Sequence, residues 1–132
     1  MDSITHLFYG GVIAAAIAPK QHRRAALLAG MVLNTLPDLD VLPLLLTDDP
    51  VVRMTCHRAA THSGFVLPLL AWAIWAFFRR RGGRVSQAPT RWWWAIFACL
   101  MAHPLLDSFT IYGTQLLWPL PIPPLMWGSL LI

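Results

Sequence analysis

This sequence predicts an all-α protein: a membrane-embedded bundle of about four short helices with a proline-rich C-terminal loop. Three observations carry that prediction. Of the 132 residues, 57% are hydrophobic and 12% charged, against about 25% charged in an ordinary soluble domain, and the mean hydropathy is +0.56. Four apolar runs are separated by short polar or basic connections. After the last run, prolines 119, 121, 123 and 124 forbid a regular helix. The length suits one domain with one core over residues 1–132.

The first run carries no leader signature. Met1-Asp2-Ser3 has no positive stretch and no small-residue cleavage site follows, so the first helix is expected to stay in the mature protein. Ser3 or Thr5 can cap it, and it extends over residues 4–18 to Pro19 with His6 in its first turn. Such a helix spans about 22 Å, short of the ~30 Å hydrocarbon core. It is therefore expected to be re-entrant, tilted into a thinned bilayer, or packed inside the bundle.

A basic connection at residues 20–24 leads to a second run over 25–36. Pro37 disfavours helix at the residue before it, so Asp38 and Asp40 are expected on irregular backbone before apolar character resumes at 41–46. At membrane depth such backbone is tolerated only against protein or a water-filled cavity. The plainer alternative is a helix-ending turn with solvated aspartates. Residues 47–54 form a polar connection, followed by Cys56-His57-Arg58-Ala59-Ala60-Thr61-His62-Ser63. Five residues on a regular helix leave two side chains about 140° apart. His57 and His62 can therefore share an ion only if His57 precedes the helix and His62 lies in its first turn. The planar guanidinium of Arg58 suits phosphate or carboxylate. Two cysteines, Cys56 and Cys99, are too few for a disulfide framework.

The third run continues to Phe78 and ends in a polar connection over residues 79–91 that contains five arginines. Trp92-Trp93-Trp94 then opens the fourth helix, where indole rings favour headgroup depth. That helix runs to His103-Pro104-Leu105-Leu106-Asp107. A histidine and an aspartate four apart share one helix face. Both are costly to leave unpartnered in apolar surroundings, and Pro104 should kink the helix beside them. The proline-rich segment is expected to fold over the end of the bundle as a lid or rim. The apolar stretch 125–132 stops without a polar tail, which suggests C-terminal truncation at Ile132.

The formal charge of +4 comes from ten Lys/Arg against six acidic residues, all aspartate. The cations concentrate in two connections; a nucleic-acid surface would spread them along a face, so they read as topology signals and no nucleic-acid partner is expected. With both basic connections cytoplasmic in a multi-pass inner (plasma) membrane protein, the other helix ends face the periplasm or exterior. Those ends carry His6, Asp38, Asp40, His57, His62, His103 and Asp107. Seven candidate ligands from four segments on one side point to a shared metal site.

The blocks Met1-Asp2-Ser3-Ile4-Thr5-His6, Leu36-Pro37-Asp38-Leu39-Asp40, His57-Arg58 with Thr61-His62-Ser63, and His103-Pro104-Leu105-Leu106-Asp107 through Tyr112-Gly113-Thr114 and Leu117-Trp118-Pro119 resemble the YdjM-type family. That family comprises inner-membrane proteins regarded as metal-dependent hydrolases and controlled by LexA, the SOS-response repressor, in some bacteria. The resemblance covers nearly the whole chain in order. It implies similarity to the all-helical zinc-dependent phospholipase C and single-strand nuclease enzymes, which gather histidines and aspartates around several zinc ions. Ala59 departs from the pattern, which commonly has glycine after His-Arg.

Nitrogen and carboxylate ligands in this mixture suit zinc, with more than one ion expected and manganese or iron as alternatives. The resulting expectation is a metal-dependent hydrolase that uses metal-activated water on phosphate esters or phospholipids, with membrane lipid as its surroundings. In that scheme His6, Asp38, His57, His62, His103 and Asp107 ligate metal, Asp40 is a ligand or general base, and Arg58 holds the substrate phosphate or braces a carboxylate. The competing readings are an ion or proton pathway, which needs polar groups at depth on both sides, and a purely structural membrane bundle. Serine-nucleophile chemistry has no support, because neither Ser63 nor Ser108 sits in a nucleophile elbow.

Overall fold

A computed structural model describes residues 3–40, 42, 46–52, 59–111 and 113–128. Among these the fold is all-α. Its principal helices are α1 (Ser3–Ile17), α2 (Arg23–Thr35), α3 (Val66–Arg80), the single turn α4 (Arg84–Gln87) and α5 (Pro89–Ser108). No β-strand occurs among the described residues, and the one bridge, Thr114 to Leu125, lies in the C-terminal segment. None of these helices is long and apolar enough to cross a membrane.

Helices α1 and α2 each bury a narrow stripe, whereas α5 is buried more broadly, from Trp92 to Ser108. On α1 the stripe is His6, Gly10, Ala14 and, just past its end, Ala18; on α2 it is Ala26, Gly30 and Asn34, continuing from His22. Residues four apart lie on one helix face, so these are two straight seams of small side chains ending in a polar group. The seams meet backbone to backbone. A Cβ on Gly10 would lie 2.4 Å from the Gly30 carbonyl oxygen, and one on Gly30 would lie 2.3 Å from that of Gly10. Small residues permit this approach, and it carries His6 towards Asn34. Gly30→Ala is therefore expected to destabilise the chain by about 1–3 kcal/mol, as overpacking does. A thermal melt in detergent checks this, and a Tm equal to wild type would contradict the close crossing.

Helix α5 lies against α1, α2 and α3. Ala14, Ala26, Ala95 and Cys99 form one core cluster with Trp92, while Leu67 and Ala71 of α3 meet Ile96 and Leu100 of α5 in another. Within the tryptophan triplet the three indoles differ, and Trp92 packs into the core. It is 5% exposed and donates its Nε1–H to His22 Nδ1 at 3.2 Å, whereas Trp94 is 54% exposed. His22 in turn meets Gln87 Oε1 at 3.0 Å, so the two basic connections share one end of the bundle.

At the other end, Pro37 replaces helix with a 3-10 turn over Leu36–Asp40. A second such turn, Ala60–His62, precedes α3, and α5 continues through Pro104 to Ser108. Residues 113–128 fold back over this end. Gly64 N–H donates to the Leu116 carbonyl at 2.7 Å, Ser63 Oγ to that of Trp118 at 2.6 Å, and Trp127 N–H to that of Ser108 at 2.8 Å. The rim is thus tied to residues immediately after His62 and Asp107. Gly113 makes its turn at φ +74°, and a Cβ there would lie 2.7 Å from Met126 Cγ.

Candidate metal centre

Asp38, His62, His103 and Asp107 converge from the 36–40 turn, the 60–62 turn and α5, each offering one ligand atom within 4.8 Å of the others. His62, His103 and Asp107 are fully buried, while the Asp38 side chain is 26% exposed and marks the accessible side. The separations are 3.0 Å between the two histidine Nε2 atoms, 3.2 Å from His103 and 3.6 Å from His62 to Asp38 Oδ1. Asp107 Oδ2 lies 3.5 Å from His62 Nε2 and 3.6 Å from His103 Nε2. A tetrahedral ion with bonds of 2.0–2.1 Å has ligand-to-ligand edges of about 3.3–3.4 Å; these five edges scatter around that value, and the sixth, between Asp38 and Asp107, falls within 4.8 Å.

The protons on the imidazoles argue the same way. Thr61 donates its hydroxyl proton to Asp40 Oδ2 at 2.6 Å, since a carboxylate can only accept. The Thr61 oxygen is then left to accept from His62 Nδ1 at 3.0 Å. The Asn34 carbonyl likewise accepts from His103 Nδ1. With N–H on Nδ1 in both rings, the neutral histidines aim two Nε2 lone pairs at each other and at two carboxylates. Two such lone pairs turned towards two carboxylates suit a cation, and outer hydrogen bonds of this kind are what orient histidine ligands. The residues therefore fit a divalent metal. In the absence of metal, protonation relieves the convergence. Burial disfavours the His62 cation, yet hydrogen bonds to Asp107 and Asp38 outweigh it and raise the His62 pKa. Burial also works against the Asp38 anion, and hydrogen bonds from His103 and His62 overcome it, holding that carboxyl well below the usual range.

The other sequence-derived site residues fall in different places. His6 stacks on His103 with ring centroids 4.0 Å apart and meets Asp107 Oδ1 at 3.1 Å through Nε2. Its Nδ1 is buried without a partner among the described residues, so His6 lacks the brace that fixes His62 and His103. Asp40 is not in the four-residue group; it reaches the centre through Thr61 and His62. His57 and Arg58 lie outside the described residues. Sequence reasoning missed Asn34, whose carbonyl sets His103 and whose Nδ2 donates to the His6 carbonyl at 2.6 Å. A lone amide inside an apolar run was its signal. The bracing role of Thr61 was missed as well.

An all-helical bundle with a buried centre of two histidines and two aspartates defines a helical protein with a candidate divalent-metal site. The chain belongs to the YdjM inner membrane protein family, whose profile matches residues 1–132. It is similar to inner membrane protein YbcI of Escherichia coli (strain K12), 35% identical over 121 residues that cover 88% of this chain and 66% of that protein. The chain thus spans just under two thirds of that relative's length. No solved structure matches it.

Proposed function

We propose that this chain is an integral inner-membrane, metal-dependent hydrolase of phosphate esters, with phospholipids the favoured substrates. The observation that carries the reading is the pair of histidine Nε2 atoms held 3.0 Å apart beside Asp38 and Asp107. Zinc is the metal best suited to that donor set. When bound, it supplies Lewis acidity for a phosphoryl oxygen and lowers the pKa of water to about 7. The chain's residues hold and orient it: His103 is fixed by Asn34, and His62 by Thr61 and Asp40. Asp38 borders the accessible side, where a substrate phosphate enters. Arg58 is assigned to that phosphate on sequence grounds. A further ion is assigned to the His6 Nε2 and Asp107 Oδ1 edge, whose 3.1 Å separation also suits shared ligation.

Membrane embedding is supported by outward apolar stripes. Ile4, Phe8 and Val12 of α1 are 63–66% exposed at four-residue spacing, and Leu28 and Val32 of α2 continue the pattern. Charge segregation supports a multi-pass arrangement with the centre facing the periplasm: the basic connections share one end and the site residues the other. The test is hydrolysis by the full chain in detergent micelles, offered a chromogenic phosphodiester and a panel of phospholipids. Turnover should vanish with chelator and return with zinc. Stoichiometric zinc with no turnover on any of these substrates would reject the hydrolase reading and leave the metal site standing.

A further inference from the structure

Far from the metal centre, at the C-terminal end of α3, an open groove of about 580 Å³ is lined by Trp72, Ala73, Ala76, Phe77, Arg80 and Arg81. Its construction follows from helical spacing. Ala73 and Ala76, three apart, form a shallow floor on one face, Trp72 and Phe77 are the aromatic walls, 57% and 51% exposed, and the two arginines stand at one mouth. From Trp72 to Arg80 the groove runs about 12 Å along the axis. Arg81 folds its guanidinium over the Phe77 ring at 4.7 Å from the centroid, which places positive charge against the apolar wall.

Among the described residues, this end of the molecule carries no anionic side chain against the arginines. Residues 3–37 and 59–106 contain no aspartate or glutamate, and neither Arg80 nor Arg81 has a carboxylate partner among the described residues. An apolar trough capped by two guanidinium groups complements an amphiphile with an apolar tail and an anionic head. We propose that the groove binds an anionic phospholipid, its phosphate at Arg80 and Arg81 and an acyl chain along Trp72, Ala73, Ala76 and Phe77. A nucleic acid satisfies the arginines and leaves the trough unfilled, so the lipid is the better match. The inference is independent of the hydrolase reading, because the groove shares no residue with the metal centre.

Tryptophan quenching by acyl-brominated lipid in detergent micelles tests it. Wild-type chain should reach half-maximal quenching at about tenfold lower mole fraction of brominated phosphatidylglycerol than of brominated phosphatidylcholine, since each arginine near an anionic surface attracts it appreciably. Arg80→Gln/Arg81→Gln, at exposed positions, should abolish that preference with metal content unchanged, and Trp72→Phe should remove the saturable component. Equal quenching by both lipids in wild type overturns the proposal, as does an undiminished preference in the arginine variant or a saturable component that survives Trp72→Phe. Displacement of the phosphatidylglycerol by an oligothymidylate at equal charge concentration also overturns it, in favour of a nucleic-acid surface.

Discussion

His103→Ala/Asp107→Ala is expected to leave a folded chain that neither retains metal nor hydrolyses a phosphodiester. The two residues supply one nitrogen and one carboxylate of the four-atom centre from adjacent turns of α5. Loss of a single outer hydrogen bond to a metal ligand typically costs 10–100-fold in affinity, so losing two direct ligands should cost more than about 10⁴-fold. Elemental mass spectrometry should fall from about one to two zinc per chain to less than about 0.1. Metal-free stability should not fall in parallel, because the variant also removes two members of an acceptor-only cluster whose convergence is unfavourable without a cation. Thermal melts separate the effects. Wild type should gain about 2.7 kcal/mol at zinc one hundredfold above Kd, whereas the variant should show no zinc-dependent shift. Asp107→Asn keeps the side-chain shape while removing the charge and should lose metal as well. Full zinc occupancy in both variants would sink the site as drawn.

Thr61→Val should weaken zinc binding about 10–100-fold, and Thr61→Ser should restore it. Valine keeps the branched shape but offers no oxygen, so His62 Nδ1–H loses its acceptor and Asp40 Oδ2 its donor. The His62 ring is then free to carry its proton on Nε2, where it points into the centre and competes with the cation. Nitrogen NMR of the imidazoles reads this directly. Wild type should show His62 protonated at Nδ1 in the zinc-loaded state, and the valine variant should shift towards the other tautomer in the metal-free state. Unchanged affinity with an unchanged tautomer would remove Asp40 and Thr61 from the account and leave Asp40 as an ordinary partner of the loop.

Much of the centre could be read from local spacing. His103 and Asp107 fall on one face of any helix that contains both, and Pro37 had to break the helix before Asp38. The concentration of cations in two connections likewise put the histidines and aspartates at the opposite end. The Asp38-Leu39-Asp40 pair could not be resolved that way. In a 3-10 turn each residue advances about 120°, so residues two apart point in widely different directions. Asp38 turns into the centre while Asp40 reaches Thr61. Hydropathy gives both aspartates the same weight, and the conformation of the turn separates them.

Trp92 teaches the same lesson at the other end. Its place in a tryptophan triplet suggested headgroup depth, but only the meeting of the 20–22 turn with the start of α5 provides His22 as a buried acceptor for its indole N–H. His6 and Asn34 depend still more on tertiary structure, because nothing local relates them and their approach requires the Gly10 to Gly30 crossing. The sequence by itself determined the helical class, the breaks between helices, and the chemistry gathered at one end, because these follow from composition, proline and fixed helical periods. Only the tertiary structure decided which carboxylate faces the metal centre, which nitrogen each histidine presents and which tryptophan is core. Those depend on partners distant in sequence, and a donor or acceptor has no assigned direction until its partner is in place.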